Sequence, residues 1–227
     1  HEGPKNFLEG YSGPLQAYAY AGYNILYQTG NVIEIGCWAH ARRKFYEVAI
    51  ADSSSEKAKE ALNIIGSLYQ IESEIKLSSI DERKKIRQGK AIPILNELRK
   101  KLEDWAEKVL PKGPLGLAIR YTLKNWIALT RYCEDGFVEI DNNMSERAIK
   151  PVVLGRTNWL FAGSHQGAEN AAMIYSLIES CKASGINTYE YFCDVLTRLP
   201  AHPINRVHEL LPWHWKKSPP EALTKAA

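Results

Sequence analysis

The sequence predicts an α/β protein that is mostly α-helical. Two short runs rich in β-branched or aromatic residues, 15–20 and 32–37, are typical of strands. A far longer stretch, residues 56–132, carries apolar side chains at spacings of three and four, which is typical of amphipathic helices. The 227 residues are 45% hydrophobic and 24% charged, a composition with enough apolar material for one sizeable core or two small ones.

The strands are predicted to lie in the first part of the chain, residues 1–51. Residues 1–10 are interpreted as the tail of an earlier segment. After the strand at 15–20, Ala21 and Gly22 open a short helix that runs through Tyr27. The strand at 32–37 leads into a helix predicted from about Ala39 to Ala51.

Residues 52–132 are predicted to form a small helical bundle. Asp52 and the three serines after it cap a helix that begins near Glu56, and the proline- and glycine-containing segment 111–114 is a hinge. Three apolar stripes are expected to face the core: Ala58, Ala61, Leu62, Ile65, Leu68, Tyr69 and Ile75; Leu95, Leu98, Leu102, Trp105 and Val109; Leu115, Ile119, Leu123, Trp126 and Ile127. Two basic runs are expected on exposed helix faces, with DNA contact as the alternative: Arg83, Lys84, Lys85, Arg87 and Lys90; Arg99, Lys100 and Lys101.

The polar residues that indicate a functional site are concentrated in residues 139–164. This stretch belongs to the last part of the chain, predicted to span 133–215. Asp141 and the two asparagines after it can accept bonds from the first N–H groups of a helix. With Asn143 as the N-cap, Glu146 lies at N3 and approximates a capping box. Pro151 is predicted to end this short helix or to lie just beyond it.

The next helix, predicted over residues 167–183, is so apolar that we expect it to be nearly buried. Glu146 would then have the rigid mount that a ligand of Mg²⁺ needs. A further helix is predicted from Thr188 to about Leu199 and another near residues 207–211, followed by a flexible tail at 216–227.

Charge and cysteine content exclude several classes of protein. The net charge of +3 and the pI near 8.6 are compatible with DNA but not diagnostic of it. The four cysteines contain no Cys-x-x-Cys pair, which argues against a zinc ribbon or a disulfide scaffold. We see no leader and no long apolar span, so we expect no signal peptide, no membrane and a cytoplasmic protein.

Several motifs, in order along nearly the whole chain, resemble the insertion-sequence-66 family of bacterial transposases. The strongest are DNNMSERAIKP at 141–151 and LGRTNWLFAGS at 154–164, and the others are GCWAHARRKF at 36–45, IYSLIE at 174–179, HPINR at 202–206 and ELLPW at 209–213. The resemblance implies an RNase H-like core interrupted by an all-helical insertion. Here the core would be partial, with its first part at 1–51, the insertion at 52–132 and its second part with C-terminal helices at 133–215.

The resemblance also implies an activity, namely DNA transposition by metal-dependent strand cleavage and transfer. Three acidic residues would hold Mg²⁺, or Mn²⁺ as a substitute, and Glu146 matches the last of them, as catalytic residue and metal ligand. The partners would be the transposon ends and the target DNA, with self-association, no small-molecule substrate and a location at the bacterial nucleoid. The candidate DNA contacts are the polar and basic residues of the motifs: His40, Arg42, Arg43, Lys44, Arg147, Lys150, Arg156, Asn158 and Trp159.

The pair Cys37 and His40 leaves three interpretations open. It is part of a zinc site, or His40 contacts DNA or orients the active site as the resemblance implies, or the pair is a buried thiol beside a hydrogen-bonded histidine. The triplet Arg42, Arg43 and Lys44 suits phosphate contact but equally a solvated helix face.

The sequence departs from the family pattern at the acids. The pattern near Leu-Gln-x-Asp-x-Tyr-x-Gly-Tyr is matched by Leu15, Gln16, Tyr20, Gly22 and Tyr23, but its Asp position is occupied by Tyr18. A phenol is neutral at pH 7 and does not replace a carboxylate on Mg²⁺, and the first acid is not in this sequence. We therefore predict a transposase fragment that is catalytically impaired, with a degenerate, non-catalytic DNA-binding or structural remnant as the alternative.

Overall fold

The computed structural model describes residues 2–17, 21–28 and 30–216. In this part of the chain there are two strands, β1 (Gly13–Gln16) and β2 (Val32–Ile35). The α-helices are α1 (Glu2–Phe7), α2 (Asn24–Tyr27), α3 (Trp38–Ala51), α4 (Glu56–Glu74), α5 (Ile80–Ile86), α6 (Ile92–Lys108), α7 (Pro114–Lys124), α8 (Trp126–Thr130), α9 (Asn143–Trp159), α10 (His165–Ala183) and α11 (Thr188–Arg198). The prediction of a mostly helical α/β protein is confirmed, and the chain divides into two compact units, residues 1–145 and 146–227.

The predicted strand at 32–37 forms over Val32–Ile35, and the strand predicted at 15–20 lies earlier, at Gly13–Gln16. The two pair in parallel, with Gly13 opposite Val32 and Gln16 opposite Ile35. The predicted strand at 15–20 extends over residues 18–20, which lie outside the described part. Gly36, directly after β2, lets α8 approach closely. Its N–H donates to the carbonyl of Ala128 at 2.8 Å, and a Cβ at this position would lie 2.9 Å from the backbone nitrogen of Leu129.

The core of the first unit is made by the predicted stripes of α4, α6 and α7. Ile65, Leu68, Leu98 and Leu102 have no exposed surface, and each buried aliphatic side chain of this kind contributes about 1.5–3 kcal/mol to folding. The third stripe was wrong at its end, since Ile127 is 68% exposed. The reason is that Asn125 interrupts the helix between α7 and α8 with φ −98° and ψ 13°, which changes the phase of the residues after it.

Arg87 lies at the centre of the first unit, in a π-helical turn, Arg87–Ala91, between α5 and α6. Its guanidinium donates to both carboxylate oxygens of Glu72, at 2.9 and 2.6 Å. It also donates to three backbone carbonyls, those of Tyr132, Asp135 and Val138, at 3.0, 2.6 and 2.8 Å. A single buried side chain therefore holds the loop at 132–138 against α4.

The prediction that the first basic run lies on an exposed face was wrong for two of its members. Arg87 has 0% of its side-chain surface exposed and Arg83 has 13%. Arg83 turns inward because Glu139 accepts a bond from it at 3.0 Å, while Lys84, Lys85 and Lys90 are not among the buried residues. Spacing alone could not identify these partners, which lie 15 to 56 residues away.

The second unit corrects two predictions about its helices. Pro151 does not end the first of them, because α9 continues to Trp159 with the proline inside it. A proline removes one helical hydrogen bond, and on a helix without buried residues water can satisfy the carbonyl that loses its partner. The helix that carries Glu146 is thus not short.

The prediction that the helix α10 is nearly buried is wrong. Met173 is 61% and Ile174 51% exposed, and Cys181 is its one residue classed as buried. The core of this unit lies near the end of α10, where Cys181 packs with Tyr191, Val195 and Leu210. The predicted start of α11 at Thr188 is confirmed, with Asn187 as its cap.

Candidate functional site

The polar stretch at 139–164 begins at the carboxyl ends of the two strands. Gln16, the last residue of β1, donates from Nε2 to the carbonyl of Glu139 at 2.7 Å. The N–H of Trp38, at the start of α3, donates to the carbonyl of Ile140 at 3.1 Å. Because the carboxyl ends of parallel strands share one edge of a sheet, residues 139–141 lie beside the start of α3.

Asp141 makes the capping contact at the start of α9. One carboxylate oxygen accepts the N–H of Asn143 at 3.0 Å, and the other accepts the side-chain amide of Asn143 at 2.8 Å. The predicted capping box is shifted, because α9 begins at Asn143, whose amide donates to Asp141 rather than capping the helix itself. Glu146 lies in the first helical turn.

Tyr69 of α4 supports Asp141 from the helical stretch. Its hydroxyl donates to the second carboxylate oxygen of Asp141 at 2.9 Å. Burial, and then the charge of Asp141, raise the pKa of Tyr69, so the phenol stays protonated and remains a donor. The spacing of apolar residues places Tyr69 on a stripe that faces the core and gives no sign of this role, since its partner lies 72 residues away.

The pair Cys37 and His40 is a buried thiol beside a histidine. Cys37 is 1% exposed, and its sulfur lies 3.2 Å from Nδ1 of His40. Burial raises the pKa of the Cys37 thiol, and backbone N–H groups, among them that of Asn142, offset the effect only in part. This geometry matches the third interpretation given above, whereas a contact of His40 with DNA stays a prediction.

A cleft of about 540 Å³ opens between α3 and α4. One face of α3 lines it with Ala39, Arg42, Arg43 and Tyr46, and α4 contributes Gly66 and Tyr69. Asn143 completes the lining. The three basic residues of the triplet do not share one face of α3. Lys44 lies on another face than Arg42 and Arg43, with its Nζ 4.7 Å from the ring centroid of Tyr121.

The remaining candidate residues lie on α9, in the second unit. Glu146 is half-buried, whereas Arg147, Lys150, Arg156, Asn158 and Trp159 are all exposed. At about 100° per residue, Arg147, Lys150 and Asn158 share one side of the helix, and Arg156 lies on the opposite side. Trp159 folds back along the helix, since a Cβ on Gly155 would lie 2.7 Å from its indole nitrogen.

The described residues do not by themselves fit a metal site. Among residues 2–17, 21–28 and 30–216, no group of three or more His, Cys, Asp or Glu side chains comes together in a way that could hold a metal ion. Asp141 is engaged by Tyr69 and Asn143, and Tyr18 lies outside the described residues. Nor is any helix of the described chain long and apolar enough to cross a membrane.

Comparison with known proteins gives a consistent result over most of the chain. A profile described as "Transposase IS66 family" matches residues 1–170, and one described as "IS66 C-terminal element" matches residues 176–213. The chain is similar to uncharacterized protein y4jD of Sinorhizobium fredii, with 37% identity over 217 residues, covering 92% of this chain and 42% of the relative.

A second relative, uncharacterized protein y4hP of the same organism, is 34% identical over 241 residues, covering 100% of this chain and 44% of the relative. The chain thus spans less than half the length of these curated relatives. No solved structure matches it.

Proposed function

Because the chain belongs to the IS66 family of transposases, we propose that it is a DNA-processing segment of a protein that moves an insertion sequence by metal-dependent cutting and joining of DNA strands. Glu146 is its catalytic carboxylate and metal ligand. The observation that carries this proposal is the position of Glu146, in the first turn of a helix whose start is capped by Asp141. A carboxylate is favoured there by the helix dipole.

DNA is the partner in this proposal, and two surfaces support it separately. On α3, Arg42 and Arg43 line a cleft, and none of the described residues that line it carries a carboxylate. On α9, Arg147, Lys150 and Asn158 follow one exposed side of the helix, and basic and amide side chains of this kind commonly contact the phosphates of a DNA backbone. His40, Lys44, Arg156 and Trp159 remain candidate contacts, and self-association belongs to the whole transposase.

We further propose that this chain alone is catalytically impaired. Mg²⁺, or Mn²⁺ in its place, takes several oxygen ligands in a near-octahedral arrangement, and strand transfer with two metals needs carboxylates from separate elements. Among the described residues, no group of three or more His, Cys, Asp or Glu side chains is placed to hold a metal ion, and the sequence has Tyr18 at the position of the second acid. The residual RNase H-like core and its helical insertion are part of the same proposal.

The alternative is a non-catalytic DNA-binding or structural remnant of a transposase. The observation that favours it is Tyr18, which stands where the family pattern has an aspartate. A tyrosine hydroxyl has an ordinary pKa near 10, so it offers hard Mg²⁺ a poor ligand. Such a protein would keep the fold and the basic surfaces but would not cut or join DNA strands.

Titration calorimetry with Mn²⁺ separates these two functions. The proteins are the chain and Tyr18→Asp, each also with Glu146→Ala. We expect weak binding to the chain and a clear gain in affinity for Tyr18→Asp that Glu146→Ala removes, which would identify a disarmed catalytic site. If Tyr18→Asp gains nothing, the remnant is favoured.

A nicking assay on supercoiled plasmid completes the test. We expect no cleavage by the unaltered chain with Mg²⁺ or Mn²⁺. Cleavage that Glu146→Gln abolishes would contradict the proposed impairment while confirming the role of Glu146.

A further inference from the structure

The cleft between α3 and α4 is lined by more kinds of side chain than a contact with a DNA backbone requires. Two arginines and two tyrosines line it together. Phosphate contact explains the arginines, but the aromatic rings add a second kind of recognition.

The side chains that line the cleft carry a net positive charge from Arg42 and Arg43. In the part of the chain that the structure describes, no ion pair of Arg42 or Arg43 with a carboxylate is found, and both side chains are exposed. The carboxylate of Asp141 lies beside the cleft, because it accepts bonds from the lining residues Tyr69 and Asn143, and its single negative charge offsets one of the two arginines. The cleft therefore favours an anionic ligand.

The tyrosines offer flat apolar surfaces beside these charges. Tyr46 is 48% exposed, and the guanidinium carbon of Arg42 lies 5.9 Å from its ring centroid. Tyr69 is held in place by its bond to Asp141. Exposed rings beside cationic groups are the arrangement on which nucleic-acid bases stack, regardless of their identity.

Small residues keep the cleft open. Gly66 lies in the middle of α4, where glycine costs about 0.5–1 kcal/mol relative to alanine. Packing does not require a glycine there, since a Cβ would meet nothing within 4 Å. A cleft of about 540 Å³ is large enough to accommodate an unpaired nucleotide with its phosphates.

We propose that this cleft binds unpaired nucleotides of a DNA strand, with a base stacked on Tyr46 and the flanking phosphates held by Arg42 and Arg43. The inference rests on the proposed function, because it takes DNA as the ligand, and it adds which form of DNA this surface recognises.

Fluorescence anisotropy on the whole chain tests this, with a labelled single-stranded 12-mer and the same sequence as a duplex. We expect tighter binding of the single strand. Stacking is worth about 1–3 kcal/mol per base, so Tyr46→Ala should weaken single-strand binding on the order of tenfold, and Tyr46→Trp should preserve it. Gly66→Leu, which fills the cleft without altering charge, should weaken it as strongly and should not lower the melting temperature.

Two matched variants serve as controls. Tyr189→Ala removes a tyrosine that is 79% exposed in the second unit, and Lys112→Gln removes an exposed charge from the segment 111–114. Neither should alter single-strand affinity more than twofold.

The outcomes separate this inference from the proposed function. If duplex binds as well as single strand, and only Arg43→Gln weakens binding, the cleft contacts a backbone, so the inference fails while the proposed DNA contact survives. If neither DNA form binds, or if Gly66→Leu binds normally, the cleft is not the site and the inference fails. The role of Glu146 is decided independently by the Mn²⁺ titration.

Discussion

The helices α6 and α10 both carry many apolar side chains, yet they differ in how much of them is buried. In α6 the apolar residues recur at spacings of three and four, and Leu95, Leu98 and Leu102 are at most 1% exposed. In α10 five such residues are consecutive, at 171–175, and so surround the helix. A neighbour can cover one side, and Met173 and Ile174 remain exposed. Burial thus follows the arrangement of apolar residues more closely than their number.

The largest effect is expected in the interior of the first unit. Arg87→Met leaves Glu72 buried and removes the donor from three carbonyls, so we expect a loss of about 3–5 kcal/mol in the free energy of unfolding. Urea denaturation measures it. Lys108→Met, which breaks an exposed pair with Asp104, is the control and should change stability by less than about 1 kcal/mol.

The double variant Glu72→Met with Arg87→Met sharpens this test. It should recover part of the loss, because no buried charge remains unpaired. Equal stability of Arg87→Met and the unaltered protein would show that the first unit does not depend on this ion pair.

The comparison of α6 with α10 is tested directly by two truncations. Leu98→Ala removes a side chain with 0% exposure and should cost about 2–5 kcal/mol. Met173→Ala removes one that is 61% exposed and should change stability by no more than about 0.5 kcal/mol. Thermal and urea unfolding of both variants give the answer, and a large cost for Met173→Ala would show that α10 is covered in solution.

A smaller effect is expected at the start of α9. Asp141→Ala removes its cap and the acceptor of Tyr69, and caps are worth about 0.5–2 kcal/mol. Tyr69→Phe should cost about 1 kcal/mol. Because the two variants remove one shared bond, the double variant should cost less than their sum, and an additive result would mean that the bond does not form in solution.

Local sequence patterns predicted the positions of helices well, but they predicted poorly which distant residues the side chains contact. The starts of α4 and α11 and the burial of the α4 and α6 stripes followed from caps and spacing. Arg87 was mistaken for an exposed charge because its acceptors lie far along the chain, and Tyr69 was assigned to the core for the same reason. The rule that a proline ends a helix failed at Pro151, because water can satisfy the backbone carbonyl that loses its helical hydrogen bond there.

The candidate site was predictable only in part. The motif at 141–151 identified Glu146, and the basic triplet identified Arg42 and Arg43. Tyr46 and Gly66 were missed, although Tyr46 follows Arg42 by one helical turn. Their significance depends on the packing of α3 against α4, which no local pattern specifies. The assignment of Glu146 and of the DNA contacts stays a prediction.

The bond from Gln16 to the carbonyl of Glu139 joins residues 123 positions apart, and this separation has a consequence for folding kinetics. Contacts between distant residues form late, because the chain between them must first lose its conformational freedom. The helices of residues 56–132 are built from local contacts and can form earlier, shortening the distance that remains to be closed. During synthesis these helices would therefore form before the end of β1 contacts residues 139–143. The polar stretch at 139–143 would reach its final position among the last steps of folding.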